Sequence, residues 1–236
     1  MKNDCTKVLT VLWLVLGIFA NIGLSAQECE AYFPMKVGTQ MEMTNYDAKG
    51  KVEGKSTLEI MEQTVIEGGI GAKVKSVVYD KKDKETLNTT YDIKCVDGVF
   101  YMDFRNFMPA ESDKMFNGMD ATIETNYLEF PNNLEVGQTL RDGEMNMSMN
   151  SNGMAVFNMT ISIKNRIVEA QESITTPAGT FDCFKISQET TLRTIMNITT
   201  RSITWYAKNI GAVRTENYDR KGKLMGYTEI TSIKEL

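Results

Sequence analysis

Methionine thioethers are the most concentrated reactive groups of the chain. Five of its sixteen methionines fall in EMNMSMNSNGMAVFNMT, and Met145, Met147 and Met149 recur at every second position. In a β-strand this spacing would place three sulfur atoms on one face, and soft sulfur ligands select Cu(I). The same spacing is typical of an apolar strand face filled by methionine, which suits irregular cores and adaptable pockets. The stretch therefore predicts an apolar face, with a Cu(I) site at these three residues as the alternative.

Cys183 is the second candidate for chemistry, since it follows a proline-glycine turn in the run ITTPAGTFDCFKIS. A reactive thiol needs a base or a positive neighbour to lower its pKa, and only Lys185 is close in sequence. We therefore predict a core role for Cys183. Phe181 shares its face, whereas Phe184 and Ile186 fall on the other, so either both faces are covered or a bulge changes the register.

Histidine is absent from the whole sequence. This excludes serine-histidine and cysteine-histidine nucleophilic arrangements and histidine-ligated zinc. The carboxylates are scattered and form no pair with arguable geometry. We therefore predict a protein that is not an enzyme, with no catalytic residues and no cofactor.

The first 26 residues are predicted to be a secretory signal peptide. Lys2 and Lys7 precede an apolar run over residues 8–20, and the small residues Ser25 and Ala26 follow. An uncleaved anchor is the alternative, but the apolar run is shorter than the ~20 residues that a membrane-spanning helix needs. We expect an exported protein of the periplasm or cell envelope, in which residues 27–236 form one β-rich domain without a transmembrane segment.

Two further cysteines would then lie in an oxidising compartment, where disulfides persist. Cys29 and Cys95 both adjoin turn-like or terminal sequence and are the predicted bridge. The net charge of -5, without a basic block, predicts no nucleic-acid partner. No helix with a basic polar face is apparent, so the sequence gives no support for a role at a membrane surface.

Beyond residue 34 the chain alternates apolar and polar residues in short runs rich in β-branched and aromatic side chains, which favours strands. Phe157, Met159 and Ile161 fall on one face of such a run. Further strands are predicted at 41–46, 56–65, 72–79, 87–94, 99–104 and from 203 onward. Residues 105–119 break the alternation and predict one short helix or, alternatively, a loop or lid.

Two kinds of repeat punctuate the predicted strands. The turns YDAKGK, YDKKDK and YDRKGK share a tyrosine, a turn-forming aspartate and lysines, with glycine in two cases. A second echo links YFPMKVGTQMEM to LEFPNNLEVGQTL, each with Phe-Pro, then Val-Gly, then a strand. An internal duplication would explain the second echo, and convergent turn chemistry would explain it equally well.

The run ITTPAGTFDCFKIS, followed by WYAKNIGAVRTENYDRKGKL, resembles the TapB-like family of exported proteins of the Gram-negative envelope, related to a larger domain-of-unknown-function group. CEAYFPMKVGTQMEMTNYDAKGK and LEVGQTLRD fit the same pattern. The resemblance implies an all-β fold, an open or half-closed antiparallel β-barrel similar to periplasmic lipoprotein carriers. It brings no agreed catalytic residues.

These observations predict a non-enzymatic envelope protein that binds a lipid-like or other apolar ligand in a curved sheet. Phe157, Met159, Ile161 and Trp205 are the predicted lining residues. The alternatives are a structural or secretion-accessory protein acting through contacts with envelope proteins, and Cu(I) capture by the methionine strand.

Overall fold

The computed structural model describes residues 31–102, 120–125, 127–151 and 154–235. All regular elements in these ranges are strands, which confirms the all-β prediction. In chain order they are β1 Gln40–Asp47, β2 Val52–Ile66, β3 Gly69–Asp80, β4 Glu85–Val96, β5 Val99–Met102, β6 Asp120–Thr125, β7 Leu128–Pro131, β8 Gly143–Ser151, β9 Met154–Thr176, β10 Gly179–Arg193, β11 Asn197–Ala207, β12 Gly211–Tyr218 and β13 Leu224–Lys234. The helix or loop predicted at 105–119 lies outside the described residues. Within those ranges, the chain forms no helix long and apolar enough to cross a membrane.

The strands form one antiparallel sheet in the order β6-β8-β9-β10-β11-β12-β13-β1-β2-β3-β4-β5-β7. Its two edge strands, β6 and β7, are consecutive in the chain, so the edges must lie close together. The sheet is therefore a nearly closed barrel with one open seam between them, as the family resemblance implied. Thr125 is opposite Met145 on β8, whereas Leu128 is opposite Met102 on β5. The segment 120–131 thus passes from one edge of the seam, β6, to the other edge, β7, within a few residues.

The hairpin turns lie at the two ends of the barrel. We call the rim the end that carries the turns 48–51, 81–84, 194–196 and 219–223. Antiparallel pairing places these four turns together, although they are far apart in sequence. The opposite end holds the start of β1 and the end of β13, with Gln40 paired to Lys234.

Three rim turns share one hydrogen-bonding pattern. In the first, Asp47 Oδ1 accepts hydrogen bonds from the backbone N–H groups of Lys49 and Lys51, at 2.8 and 2.9 Å. Asp80 and Asp219 accept the equivalent pair in the other two turns, over 2.8–3.0 Å. These backbone donors lower the pKa of the Asp47 and Asp80 carboxyls.

The position with positive φ in each of these turns is Gly50, Asp83 or Gly222, at 80°, 58° and 76°. Aspartate tolerates this region better than most residues, although glycine enters it without steric cost. The sequence interpretation of the turn repeat is thus confirmed in atomic detail.

The second echo is also a structural equivalence. The backbone N–H groups of Thr39 and Gln138 each close a four-residue turn, and Gly38 and Gly137 have φ of 85° and 90°. Gly38 N–H donates to Ile60 O at 2.9 Å, and Gly137 N–H donates to Val168 O at 2.8 Å. Both turns are therefore fixed to a buried strand residue in the same way, while the duplication itself stays a prediction.

The apolar core consists of two clusters. The first is built on Tyr32, Phe33 and Met35, which precede β1 and pack with residues of β2 to β5 and β7 to β10. The second joins Cys183, Trp205 and their neighbours on β1, β12 and β13.

Strand β10 contributes to both clusters. Phe184 and Ile186 pack in the first, and Phe181 and Cys183 pack in the second. Both faces of this strand are therefore covered, and its pairing with β9 also shifts register between Lys185 and Ile186, so both sequence-based alternatives have a counterpart in the structure.

Candidate functional site

Strands β8 and β9 bring the predicted ligand-lining and metal-binding residues together. In their register Met145 is opposite Ile161, Met147 is opposite Met159, and Met149 is opposite Phe157. Opposite residues of an antiparallel pair share a face and lie within side-chain contact. We call these six residues the methionine face.

On the β8 side of the methionine face the cover decreases from the core toward the rim, whereas Ile161, Met159 and Phe157 on β9 are all half-buried. Met145 and Met147 have only 1% and 6% of their surface exposed, and Met145 packs in the first core cluster. Met149 and Phe157, which are nearer the rim, are half-buried. The neighbouring strand on this side is β6, the edge strand at the seam. The face is therefore continuous with the core but only partly covered beside the opening.

The same face holds four thioethers, since Met159 lies opposite Met147. Met145 and Met149 are four residues apart, a separation of about 13 Å along a strand. Their sulfur atoms could meet around one ion only if both side chains leaned toward Met147. In the described ranges, no group of three or more Cys, Asp or Glu side chains offers an alternative metal site. Copper capture stays a prediction.

Trp205 does not join the methionine face. It lies in the second core cluster, where its indole Nε1 donates a hydrogen bond to Glu172 Oε1 at 2.7 Å. The Lys185 ammonium lies 5.6 Å from its ring centroid, within the range of a cation-π contact. The four predicted lining residues thus divide into three on β9 and one in a separate cluster.

Cys183 is completely buried, and its thiol donates to Phe181 O at 3.4 Å. Burial, with smaller contributions from Asp182 and Glu172, raises the pKa of this thiol to about 11. Lys185, the neighbour that could have lowered this pKa, forms an ion pair with Glu169 at 3.5 Å. The environment is that of a packing residue, not of an activated nucleophile.

Cys95 is disulfide-bonded and buried. Its predicted partner, Cys29, lies outside the described residues. Phe33 stacks on Phe100 at a centroid distance of 5.3 Å, and Phe100 is the cross-strand partner of Cys95. The chain shortly after Cys29 therefore passes close to Cys95, which is compatible with the predicted pairing.

Arg166 is an interior cation that the sequence interpretation missed. Its side chain is completely buried, and its Nη1 donates to the main-chain oxygens of Glu129 and Arg141 at 3.2 and 2.7 Å. Its guanidinium lies 4.6 Å from the ring centroid of Phe130. Glu129 and Phe130 belong to β7, and Arg141 lies shortly before β8. Arg166 therefore connects the two sides of the seam. No sequence motif predicts this role, because the acceptors of the Arg166 hydrogen bonds are backbone carbonyls, which every residue has.

A half-buried ionic cluster on β12 and β13 is fully paired. Arg214 contacts Glu216 and Glu229 at 2.9 Å each, and its guanidinium lies 4.3 Å from the Tyr227 ring centroid. Tyr218 donates to Glu216, which raises the pKa of Tyr218 to about 12. One cation thus pairs with two carboxylates, and the Arg214–Glu229 ion pair connects β12 to β13.

The fold and the methionine face define a nearly closed antiparallel barrel with a partly covered apolar surface at its seam. The chain belongs to the DUF3108-like family, whose model matches residues 36–230. It is similar to a candidate lipoprotein from Parabacteroides distasonis, with 27% identity and a TM-score of 0.72 over 88% of this chain and all of that one. It is also similar to a candidate exported protein with a YmcC-like fold from Bacteroides fragilis, with 26% identity and a TM-score of 0.70 over the same shares. No functionally curated protein matches the sequence.

Proposed function

We propose that this is an exported, non-enzymatic envelope protein that holds the apolar chain of a lipid-like molecule against the methionine face. The observation that carries the proposal is the change in cover along β8 beside the half-buried residues of β9. Met145 is 1% exposed in the core, whereas Met149 and Phe157 are half-buried near the rim. Flexible thioethers beside an aromatic ring suit a ligand of variable shape.

Export to the envelope is supported by the predicted signal peptide and by the two similar structures, which are described as a candidate lipoprotein and a candidate exported protein. The resemblance to TapB-like proteins supports the same compartment. The absence of histidine from the sequence supports a binding role over catalysis.

Titration of the purified protein with a solvatochromic apolar probe tests the proposal. We expect saturable binding with a blue-shifted emission, because the probe enters an apolar site. Replacing Phe157 and Met159 with serine should weaken binding by about tenfold or more, since burying each large apolar side chain is worth about 1.5–3 kcal/mol. Mass spectrometry of a solvent extract of the native protein should identify a co-purifying lipid.

Val65→Ser is the matched control, because Val65 is an apolar strand residue that is 90% exposed and distant from the methionine face. It should leave probe affinity unchanged. Equal affinity in the Phe157/Met159 variant and the wild type, with both folded by circular dichroism, would overturn the proposal. Capture of an envelope protein in place of a lipid would favour the secretion-accessory alternative.

A further inference from the structure

The rim carries a cluster of positive charge that is dispersed in the sequence. Its three aspartate turns place eight basic side chains at one end of the barrel, against four acidic ones, although the whole protein has a net charge of -5. All eight are exposed. We call this set the basic rim: Lys49, Lys51, Lys81, Lys82, Lys84, Arg220, Lys221 and Lys223.

Most of these cations form no ion pair within 4 Å in the part of the chain that the structure describes, although Lys49 and Lys51 interact with Asp47, and Lys81 and Lys84 with Asp80, at longer range. Lys81 pairs with Glu53 at 3.5 Å, and Arg220 donates to the Thr199 hydroxyl at 3.1 Å. Oδ1 of the first aspartate in each turn is occupied by backbone N–H groups, as in Asp47. Three of the four turn aspartates are thus held against the backbone, and Asp83 pairs with Lys55 at 2.9 Å. The turn lysines are exposed to solvent.

An apolar finger stands beside the basic rim. The hairpin between β10 and β11 ends in Ile195 and Met196, which are 102% and 70% exposed, and Ile198 is 52% exposed. Residues 194–198 are the apolar finger. The contact between Arg220 and Thr199 links it to the neighbouring basic turn. Contiguous exposed apolar patches on soluble proteins can mark sites of interaction with proteins or membranes.

The finger extends beyond the basic turns. Arg201 on β11 is opposite Tyr218 on β12, which fixes a common level for the two hairpins. Met196 lies five residues beyond that level and Lys221 lies three, so the finger projects about 6 Å further at ~3.3 Å per residue. On a flat anionic surface, apolar tips would enter first and the lysines would reach the layer of charged groups.

We infer that the rim docks on an anionic lipid bilayer, with the apolar finger inserted at the interface and the basic rim against anionic headgroups. Charge complementarity and the projecting finger carry the inference. Clustered lysines near an anionic membrane each strengthen binding, and the attraction falls off within a Debye length. A protein partner would be expected to offer acceptors in fixed positions, whereas lysines on three separate turn tips suit a fluid layer of charge.

Vesicle co-sedimentation with the full mature chain tests the inference. We expect binding to phosphatidylcholine vesicles that contain about 30 mol% phosphatidylglycerol, and weak binding to phosphatidylcholine alone. Raising NaCl from about 0.1 to 0.5 M should reduce the binding, because added salt screens exposed charges. The triple variant Lys49→Glu, Lys221→Glu, Lys223→Glu should lose affinity by about tenfold or more. Ile195→Ser combined with Met196→Ser should weaken binding at both salt concentrations.

The matched control is Lys36→Glu, Lys73→Glu, Lys234→Glu, which makes the same change in net charge away from the rim. It should bind as the wild type does. Equal binding to both vesicle types, or equal losses in the two triple variants, would overturn the inference. Apolar-probe binding in solution should survive every rim variant, so failure of membrane docking and failure of the proposed ligand site are separate results.

Discussion

Cys183 is the residue whose local environment gives the clearest dependence on pH. Its thiol has a folded-state pKa of about 11, raised by burial, against an ordinary value near 8.5 in an unfolded chain. The unfolded state therefore loses its proton first as the pH rises, so the stabilising contribution is complete below about pH 8.5 and is lost toward pH 11. Urea unfolding of the wild type and Cys183→Ala should show a steeper fall in the free energy of unfolding over this interval for the wild type.

The same burial should keep Cys183 unreactive toward a thiol reagent at pH 7.5 until denaturant is added. Rapid labelling of the native protein would contradict the packing role. The sequence predicted this role correctly, because the absence of a nearby base can be recognised from local residues alone.

Arg166 should be far more important for stability than its neighbour Arg141. Arg166→Ala removes a completely buried side chain and leaves the carbonyls of Glu129 and Arg141 without their donor. We expect a loss of about 3 kcal/mol or more, from the cavity and the unsatisfied acceptors. Arg141→Ala removes an exposed ion pair to the Glu129 side chain, which should cost less than about 1 kcal/mol. Equal losses in thermal or urea unfolding would contradict the role of Arg166 at the seam.

At the level of the elements, the turn repeat extends three positions beyond its last lysine, into the following strand. Gly54 and Gly226 each lie seven residues after the turn aspartate, and a Cβ at either would be 2.5 Å from a carbonyl oxygen, of Tyr79 and Tyr46 respectively. Each hairpin therefore packs against the tyrosine of the next. The repeat after Asp80 has Leu87 at this position. Among the described residues, the outer side of β4 pairs with β5 at Lys94–Val96, several residues away from Leu87.

Gly54→Ala and Gly226→Ala should each destabilise the protein by about 1–3 kcal/mol, because the added methyl must displace a backbone carbonyl. Val52→Ala, at an exposed position on the same strand as Gly54, should stay within about 0.5 kcal/mol. The unfolding midpoints of these three variants, measured beside that of the wild type, test the prediction. An unchanged midpoint in both glycine variants would show that the hairpins can separate at no cost.

For the whole molecule, hydrogen exchange should reveal the seam. Amides of β6 and β7 have one hydrogen-bonded neighbour strand, whereas β10 to β13 lie in the middle of the sheet. Because edge strands open locally at lower free energy, we expect exchange to be fastest in β6 and β7 and slowest in the central strands. Uniform protection across the sheet would show that the barrel is sealed.

The sequence predicted the strands and turns because alternation and turn chemistry are local signals. It could not predict that β7 pairs with β5 while β6 pairs with β8, since pairing across the seam depends on closure of the whole sheet. The basic rim was missed for a similar reason, because its lysines are divided among turns near residues 50, 82 and 221. The sequence predicted the apolar residues of β8 and those of β9 as two separate strand faces. Only the register of the two strands shows that they form one face.

The two-residue link between β6 and β7 sets a limit on what could pass through the wall of the barrel. Thr125 and Leu128 lie on opposite lips of the gap, and three extended peptide units span at most about 11 Å. However far the two edges separate, this covalent link keeps the gap at that height narrower than a folded polypeptide. The width of a molecule would therefore limit its entry between β6 and β7, whatever side chains line the gap.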